Sequence, residues 1–398
     1  MRELGVSSES RPILCFSHLR WDFVWQRPQQ LMSRFARDRR VYFIEEPIFE
    51  DSASAEPDSG WLRLDRTPVG APPASATNGV TVVRPVCRDP GPGGGPVLDR
   101  MYARLVAELV RGEGIIDPVA WFYTPMLLPA IDLMGDVHVV YDAMDELTLF
   151  RFAPDGLADR EGRLLDRAAV TFAGGASLGE AKSRRHPRVR TFPSGVEADH
   201  YRQALDASLS LPDDLVALPE PRVGYIGVID ERIDYDLLRE VSKRRPDLSW
   251  VMIGPVVKVR PDELPVAPNV AYLGQKAYAD LPAYVRGFAV CMMPFALNDA
   301  TRFISPTKTL EYMAAHRPIV STPVTDVVRM YGDVVRVGSD AESFATNVDA
   351  ALNETPEARD ARNTREAAYL ARNAWDAIAV AMDAEMRAAF EARREGRA

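Results

Sequence analysis

At 398 residues, with 46% hydrophobic and 26% charged side chains, the chain can bury two ordinary cores, which excludes a disordered or fibrous protein. The formal net charge is −9 and the basic residues form no block, so nucleic acid is not expected as a partner. Cys15, Cys87 and Cys291 are far apart in sequence, and two of them lie in apolar strand-like runs, which suits buried thiols in a reducing compartment better than a disulfide set or a metal site.

The opening MRELGVSSESRP lacks the basic start and apolar stretch of a signal peptide, and no run approaches the length that crosses a bilayer. A cytoplasmic protein is expected, with peripheral contact at the inner face of the membrane as the alternative. Short β-branched and aromatic runs then alternate with helical patterns, the signature of parallel βαβ construction. In the first half the predicted strands are 11–19, 40–47, 79–86, 119–125, 138–144, 169–175 and 189–195. Between the first two, RPQQLMSRFARD places Leu31, Met32 and Phe35 on one stripe of a helix that Pro28 can start. The stretch 50–78 and the run DPGPGGGP at 89–96 are rich in turn formers and predict loops beside a cleft. Prolines and acids interrupt the periodicity at 208–221, and a second series of strands follows at 222–228, 249–255, 269–275, 289–295, 317–323 and 333–338. The last segment, 375–394, has the spacing of an amphipathic helix.

The densest chemistry lies in NDATRFISPTKTLEYMA (298–314), read as a polar loop and a helix between two strands. Free N–H groups at such a helix start attract a phosphate, and Lys308 adds a full charge. Glu311, one turn deeper, is placed to accept hydrogen bonds from a ribose diol. Gly227 and Gly254 end two strands where backbone comes close to a ligand or turns sharply. In the first half, His18, Arg20, Trp21, Asp22, Trp25, Gln26 and Arg27 follow the first strand and face the cleft of a parallel sheet. Tryptophans among polar groups suit a sugar surface, because rings cover the apolar sugar faces while polar groups take the hydroxyls. VYDAMDEL supplies Asp142, Asp145 and Glu146 after another strand. One of them can act as a general base if the transfer inverts, or orient the acceptor or stabilise positive charge on the sugar ring if it retains configuration, and helix capping by Asp142 or Asp145 is the structural alternative. His186, His200 and His316 show no metal-ligand spacing.

The order PSGVE (193–197), GYIGVIDERIDYDLL (224–238), MIGP, YLGQK and SPTKTLEYMAAHRPIVSTPV resembles the GT-B glycosyltransferases of family 4, over nearly the whole chain. The opening FSHLRWDFVWQRPQQLMSRFA with VYDAMDEL is similar to a bacterial subgroup of these enzymes linked to cell-surface polysaccharides. The resemblance implies an α/β GT-B protein with two Rossmann-like domains facing a central cleft. The expected divisions are an acceptor domain at 1–205, a nucleotide-sugar donor domain at 206–372, and a terminal helix at 373–398 that packs back on the first domain. It further implies a nucleotide diphosphate sugar, UDP-sugar favoured, as substrate, with no cofactor and no metal. Where the family carries two glutamates separated by seven residues, this chain has Phe303 and Glu311, and Val228 and Arg232 stand where an arginine and a lysine are usual.

The sequence therefore predicts a glycosyltransferase that passes a sugar to a carbohydrate, lipid-linked or small-molecule hydroxyl acceptor. Asp142, Asp145 and His18 are the catalytic candidates. Gly227, Arg232, Gly254, Asn298, Thr301, Ser305, Thr307, Lys308 and Glu311 are assigned to the donor, and Arg20, Trp21, Asp22, Trp25 and Arg27 to the acceptor. A noncatalytic nucleotide-sugar binder and a sugar-nucleotide epimerase or hydrolase are the alternatives.

Overall fold

The computed structural model describes residues 11–50, 62–69, 79–88 and 95–396. Two sheets organise the chain. The first contains β1 (Ile13–Ser17), β2 (Val41–Glu45), β3 (Ile48–Glu50), β4 (Leu62–Val69), β5 (Val80–Arg88), β6 (Val119–Phe122), β7 (His138–Ala143), β8 (Val170–Ala173) and β9 (Val189–Thr191). The second contains β10 (Arg222–Ile226), β11 (Ser249–Ile253), β12 (Val270–Tyr272), β13 (Val290–Met293), β14 (Ile319–Ser321) and β15 (Val335–Val337).

The first sheet runs β3-β5-β2-β1-β6-β7-β8-β9 with β4 beside β5, and the second runs β12-β11-β10-β13-β14-β15. Every pairing is parallel except β4 with β5. In each sheet the first strand sits where the winding reverses: β1 lies between β2 and β6, and β10 lies between β11 and β13. An open parallel sheet leaves a crevice beyond the carboxyl ends of its strands at that point.

Parallel sheets are covered on both faces, and their strands accordingly read as unbroken apolar runs. All five residues of β1 and of β10 are buried. One face of the first sheet packs with Leu14, Phe16, Phe122 and Leu128, and the other with Cys15, Phe43, Trp121 and Phe172. The terminal helix Trp375–Arg394 buries Trp375, Ile378, Met382, Met386 and Phe390 in this second cluster, so its apolar stripe closes the core of the first sheet, not that of the second. The chain thus passes between the units twice, near 195 and near 373. The two crossings touch, because the Val196 N–H donates to the Asn373 carbonyl at 2.8 Å.

The stretch 50–78 is not all loop. Leu62–Val69 pairs antiparallel with β5, and Ile48–Glu50 adds a short strand to the same partner, while 51–61 and 70–78 lie outside the described residues. Of the run at 89–96, Gly95 already begins the helix Gly95–Gly112, and 89–94 lie outside the described residues. No helix of the described residues is long and apolar enough to cross a membrane.

Candidate active site

The loops after β1 and β10 face each other across the crevice. Two adjoining cavities fill it, and they share Trp25, Tyr201, Gly227, Tyr278, Lys308 and Glu311. The larger, about 570 Å³, is bounded on one side by Trp21, Asp22 and Trp25 and on the other by Gly227, Gly254 and Lys276. The smaller, about 130 Å³, reaches inward to Met144, Asp145, Arg232, Ser305 and Thr307.

The wall supplied by the second unit exposes bare backbone at two turns. Gly254 has φ 149°, and a Cβ there would fall onto the carbonyl oxygen of Gly227, so the turn after β11 packs against the turn after β10 because Gly254 lacks a side chain, while a Cβ on Gly227 would meet the Tyr225 hydroxyl. Behind them the helix Lys308–Ala314 points its start at the cavity. The N–H groups of Ser305, Thr307 and Lys308 have no acceptor among the described residues, and the first bonds of this turn begin at Thr309. Pro306 stands just ahead of the helix, where it has no N–H to lose. Lys308 Nζ pairs with Glu311 Oε2 at 3.2 Å, and that buried oxygen accepts no hydrogen bond among the described residues. Arg232 completes the basic lining. Asp230, itself buried, grips its guanidinium at Nε (2.9 Å) and Nη2 (2.7 Å) and fixes its direction.

The two aspartates at the end of β7 have different lives. Asp142 is fully buried and takes a bidentate contact from Arg27, with Nε at 3.0 and 2.9 Å and Nη2 at 2.9 Å. Burial raises its pKa and Arg27 works against that rise. Arg27 is also spent: it donates to the Phe192 carbonyl at 2.8 Å and touches the Met382 sulfur of the terminal helix. Asp145 lines the smaller cavity and has no hydrogen-bond or ion-pair partner among the described residues. Burial raises its pKa above the ordinary aspartate value, and Arg232, Arg27 and Lys258 oppose the shift. His18 lines neither cavity. Burial, with Lys258 nearby, pushes its pKa down to about 4, and its Nδ1 has no partner, so it is a neutral imidazole at neutral pH.

Among the residues assigned to an acceptor, Trp21, Asp22 and Trp25 line the larger cavity, with the two indoles edge to face at 5.6 Å. Arg20 lies outside it and is held by Glu45 at 3.1 Å and by the Glu46 carbonyl at 2.6 Å. Asp22 pairs with Arg84 at 2.5 Å. Of the residues assigned to a donor, Gly227, Arg232, Gly254, Ser305, Thr307, Lys308 and Glu311 are gathered on the cavities. Asn298 and Thr301 are not. They cap one another in a short 3-10 turn, the Thr301 N–H donating to Asn298 Oδ1 at 3.1 Å, and Asn298 Nδ2 donates to the Glu231 carbonyl. Phe303 turns away from the cavities and packs against the apolar cluster of the first sheet.

A third carboxylate of the smaller cavity, beside Asp145 and Glu311, was not singled out by sequence. Glu197 receives Gln30 Nε2 at 2.9 Å, Arg34 Nη2 at 3.3 Å and the Tyr278 hydroxyl at 2.8 Å, joining the first helix to the second unit. Tyr278 stacks on His200 with centroids 4.2 Å apart and separates the two cavities. These partners are up to 167 positions apart in sequence, and only the final acid of PSGVE hinted at them.

Known proteins resemble the chain in sequence over part of its length and in fold over nearly all of it. Residues 220–354 match a family model described as Glycosyl transferases group 1. A Bacillus subtilis (strain 168) protein that carries the name of a teichuronic acid biosynthesis glycosyltransferase, TuaH, is 27% identical over 149 residues, 36% of each chain, so the match spans about a third of that relative. Among solved structures, sucrose-phosphate synthase from Thermosynechococcus elongatus superposes with TM-score 0.68 at 16% identity, over 96% of this chain and 100% of that one. Alpha,alpha-trehalose 6-phosphate synthase from Burkholderia multivorans gives 0.63 at 15%, over 98% of both. Anabaena Alr3699/HepE, solved with UDP and glucose, gives 0.64 at 13%, over 95% and 100%. The chain has the GT-B fold, and it resembles the glycosyltransferases built on it.

Proposed function

We propose that the chain is a nucleotide-sugar-dependent glycosyltransferase that moves a hexose from a UDP-sugar to a hydroxyl of a saccharide or glycoconjugate acceptor at the cell surface pathway's cytoplasmic stage. The observation that carries this reading is the convergence, on one crevice, of an unbonded carboxylate with a cradle of free amides and cations. Three N–H groups at 305–308, Lys308 and Arg232 are suited to a diphosphate. Glu311 stands one turn along, paired with Lys308 through an oxygen that accepts no hydrogen bond among the described residues, and its carboxylate suits a ribose diol.

As the bond from the sugar's anomeric carbon to the β-phosphate oxygen breaks, negative charge grows on the leaving diphosphate. Fixed cations and amides meet it without reorganising. The acceptor hydroxyl supplies the new bond to that carbon and loses its proton to Asp145, whose raised pKa brings it nearer the range of an effective base. Since this charge is met by the chain's own groups, transfer is proposed to need no metal. The UDP assignment is supported by the UDP complex of the Anabaena relative and the acceptor class by the name of the Bacillus relative.

A thermal-shift screen of UDP-, GDP-, ADP- and dTDP-sugars with EDTA present tests the donor. UDP-sugars are expected to stabilise the chain most. Release of free sugar, or of an epimer, without acceptor would favour a hydrolase or epimerase, and UDP binding without turnover on any acceptor would favour a noncatalytic binder.

A further inference from the structure

The segment that follows Asp145 leaves the first unit and reaches onto the second. After a short 3-10 turn at Leu147–Leu149, the Arg151 N–H donates to Glu231 Oε1 at 3.2 Å and its guanidinium donates to the Lys258 carbonyl at 3.3 Å. Between these anchors and Asp145 stands Phe150. Its ring meets two cations of the second unit: the Arg232 guanidinium carbon lies 5.5 Å from the ring centroid and the Lys258 ammonium 5.0 Å. Both distances are within the reach of a cation–π contact.

Two like charges on one ring need a reason to stay together. Each has an anionic brace: Asp230 holds Arg232 in a fork, and Glu231 lies 3.8 Å from the Lys258 ammonium. Lys258 is held with φ 60°, a conformation that costs a non-glycine residue energy and that its neighbours therefore enforce. The ring's electron-rich face adds an attraction that neither carboxylate supplies, and it comes from the opposite wall of the crevice. Asp145, five residues before the ring, is influenced by both cations.

We propose that Phe150 is a positioning residue: its ring, carried by the first unit, seats the Arg232 guanidinium at the smaller cavity, with Lys258 held beside it on the same ring, so that Arg232 is ordered before the donor's diphosphate arrives. This rests on the nucleotide-sugar reading above. It gives the first unit a share in donor binding although the diphosphate cradle belongs to the second. Removing the ring's π-face while keeping its apolar bulk leaves the two cations mutually repelled and less ordered, and the donor then has to order Arg232 itself.

The test compares the full chain with Phe150→Leu and Phe150→Tyr. UDP affinity is measured by calorimetry, and the side-chain methylene signals of Lys258, identified with Lys258→Arg, are measured by NMR. The Leu variant is expected to bind UDP about tenfold more weakly and the Tyr variant within about twofold of the parent, with similar melting midpoints. The Lys258 Cε protons are expected upfield under the ring in the parent and the Tyr variant, and at ordinary positions in the Leu variant. Equal UDP affinity in parent and Leu variant, or equal losses in Leu and Tyr, overturns the proposal. Should the Leu variant not fold, an unshifted Lys258 signal in the parent overturns it, and a shifted one with UDP affinity kept in Tyr upholds it. A parent that binds no UDP overturns the nucleotide-sugar reading and the role in donor binding, and the Lys258 shift then reports whether the ring still seats the cation.

Discussion

The two walls of the crevice start from equivalent places, the loops after the first strand of each sheet, and are built from different materials. The second-unit wall presents bare backbone at Gly227, Gly254 and the free amides ahead of Lys308, beside the cations Arg232, Lys276 and Lys308. The first-unit wall presents rings and charges, and most of its charges are already paired, Asp22 with Arg84, Arg27 with Asp142 and Glu197 with Arg34. Asp145 stands apart as a carboxylate without a hydrogen-bond or ion-pair partner among the described residues of that wall. The contrast teaches a division of labour. A wall of amides suits an anion common to many donors, whereas a wall of paired charges around one unbonded acid is a rigid frame for a single chemical group.

The sharpest way to break this comparison is to treat the two aspartates alike. Asp142→Ala strands the Arg27 guanidinium in a buried site, and the loss in unfolding free energy is expected to be about 3–5 kcal/mol. Urea denaturation measures it, and a loss below about 1 kcal/mol would mean that the pair is not part of the frame. Asp145→Asn is expected to leave the unfolding curve nearly in place while turnover falls by a factor of about 10² or more with donor affinity kept. Steady-state kinetics on a working acceptor show which pattern holds.

On the other wall, Lys308→Ala should weaken UDP binding by about 1.5–3 kcal/mol, the range of charge-assisted bonds. Calorimetry reads this directly, and an unchanged affinity removes Lys308 from the cradle. The pH dependence sharpens the comparison further. Because the pKa of Asp145 is raised, its basic form is lost as pH falls through a value above the ordinary aspartate range, so the acid limb of kcat should lie above that range. The limb should vanish in Asp145→Asn and persist in Asp142→Asn. The smallest effect expected is that of Glu311→Gln, which keeps shape and loses charge toward a diol. Melting should hardly move while turnover or donor affinity falls, and activity within about twofold of the parent would cancel the ribose assignment.

The main strands were legible because buried parallel strands need continuous β-branched and aromatic runs, as in β1, β10 and β13. Leu62–Val69 was not, because LRLDRTPV alternates with charges and carries a proline, which it tolerates as a strand paired with β5 alone in the described sheet. The gathering of Ser305, Thr307, Lys308 and Glu311 on the smaller cavity was legible as a local pattern, since they lie within seven positions of one another. What sequence could not separate was Asp142 from Asp145. The difference between them is Arg27, which meets Asp142 across 115 positions. Asn298 and Thr301 were drawn to the donor by their polarity, and the structure shows them spending it on each other. Glu197, Tyr278 and Phe150 acquire their roles through partners from the other unit, and no spacing rule announces such contacts.

The central claim is that the crevice holds a nucleotide diphosphate on the second-unit wall, opposite Asp145. It is tested most directly by calorimetric titration of UDP into the parent, Lys308→Ala and Asp145→Asn, all with EDTA present. The account predicts saturable one-site binding to the parent, binding weakened at least about tenfold in Lys308→Ala, and parental affinity in Asp145→Asn. No binding to the parent, or equal affinity in the parent and Lys308→Ala, would contradict it.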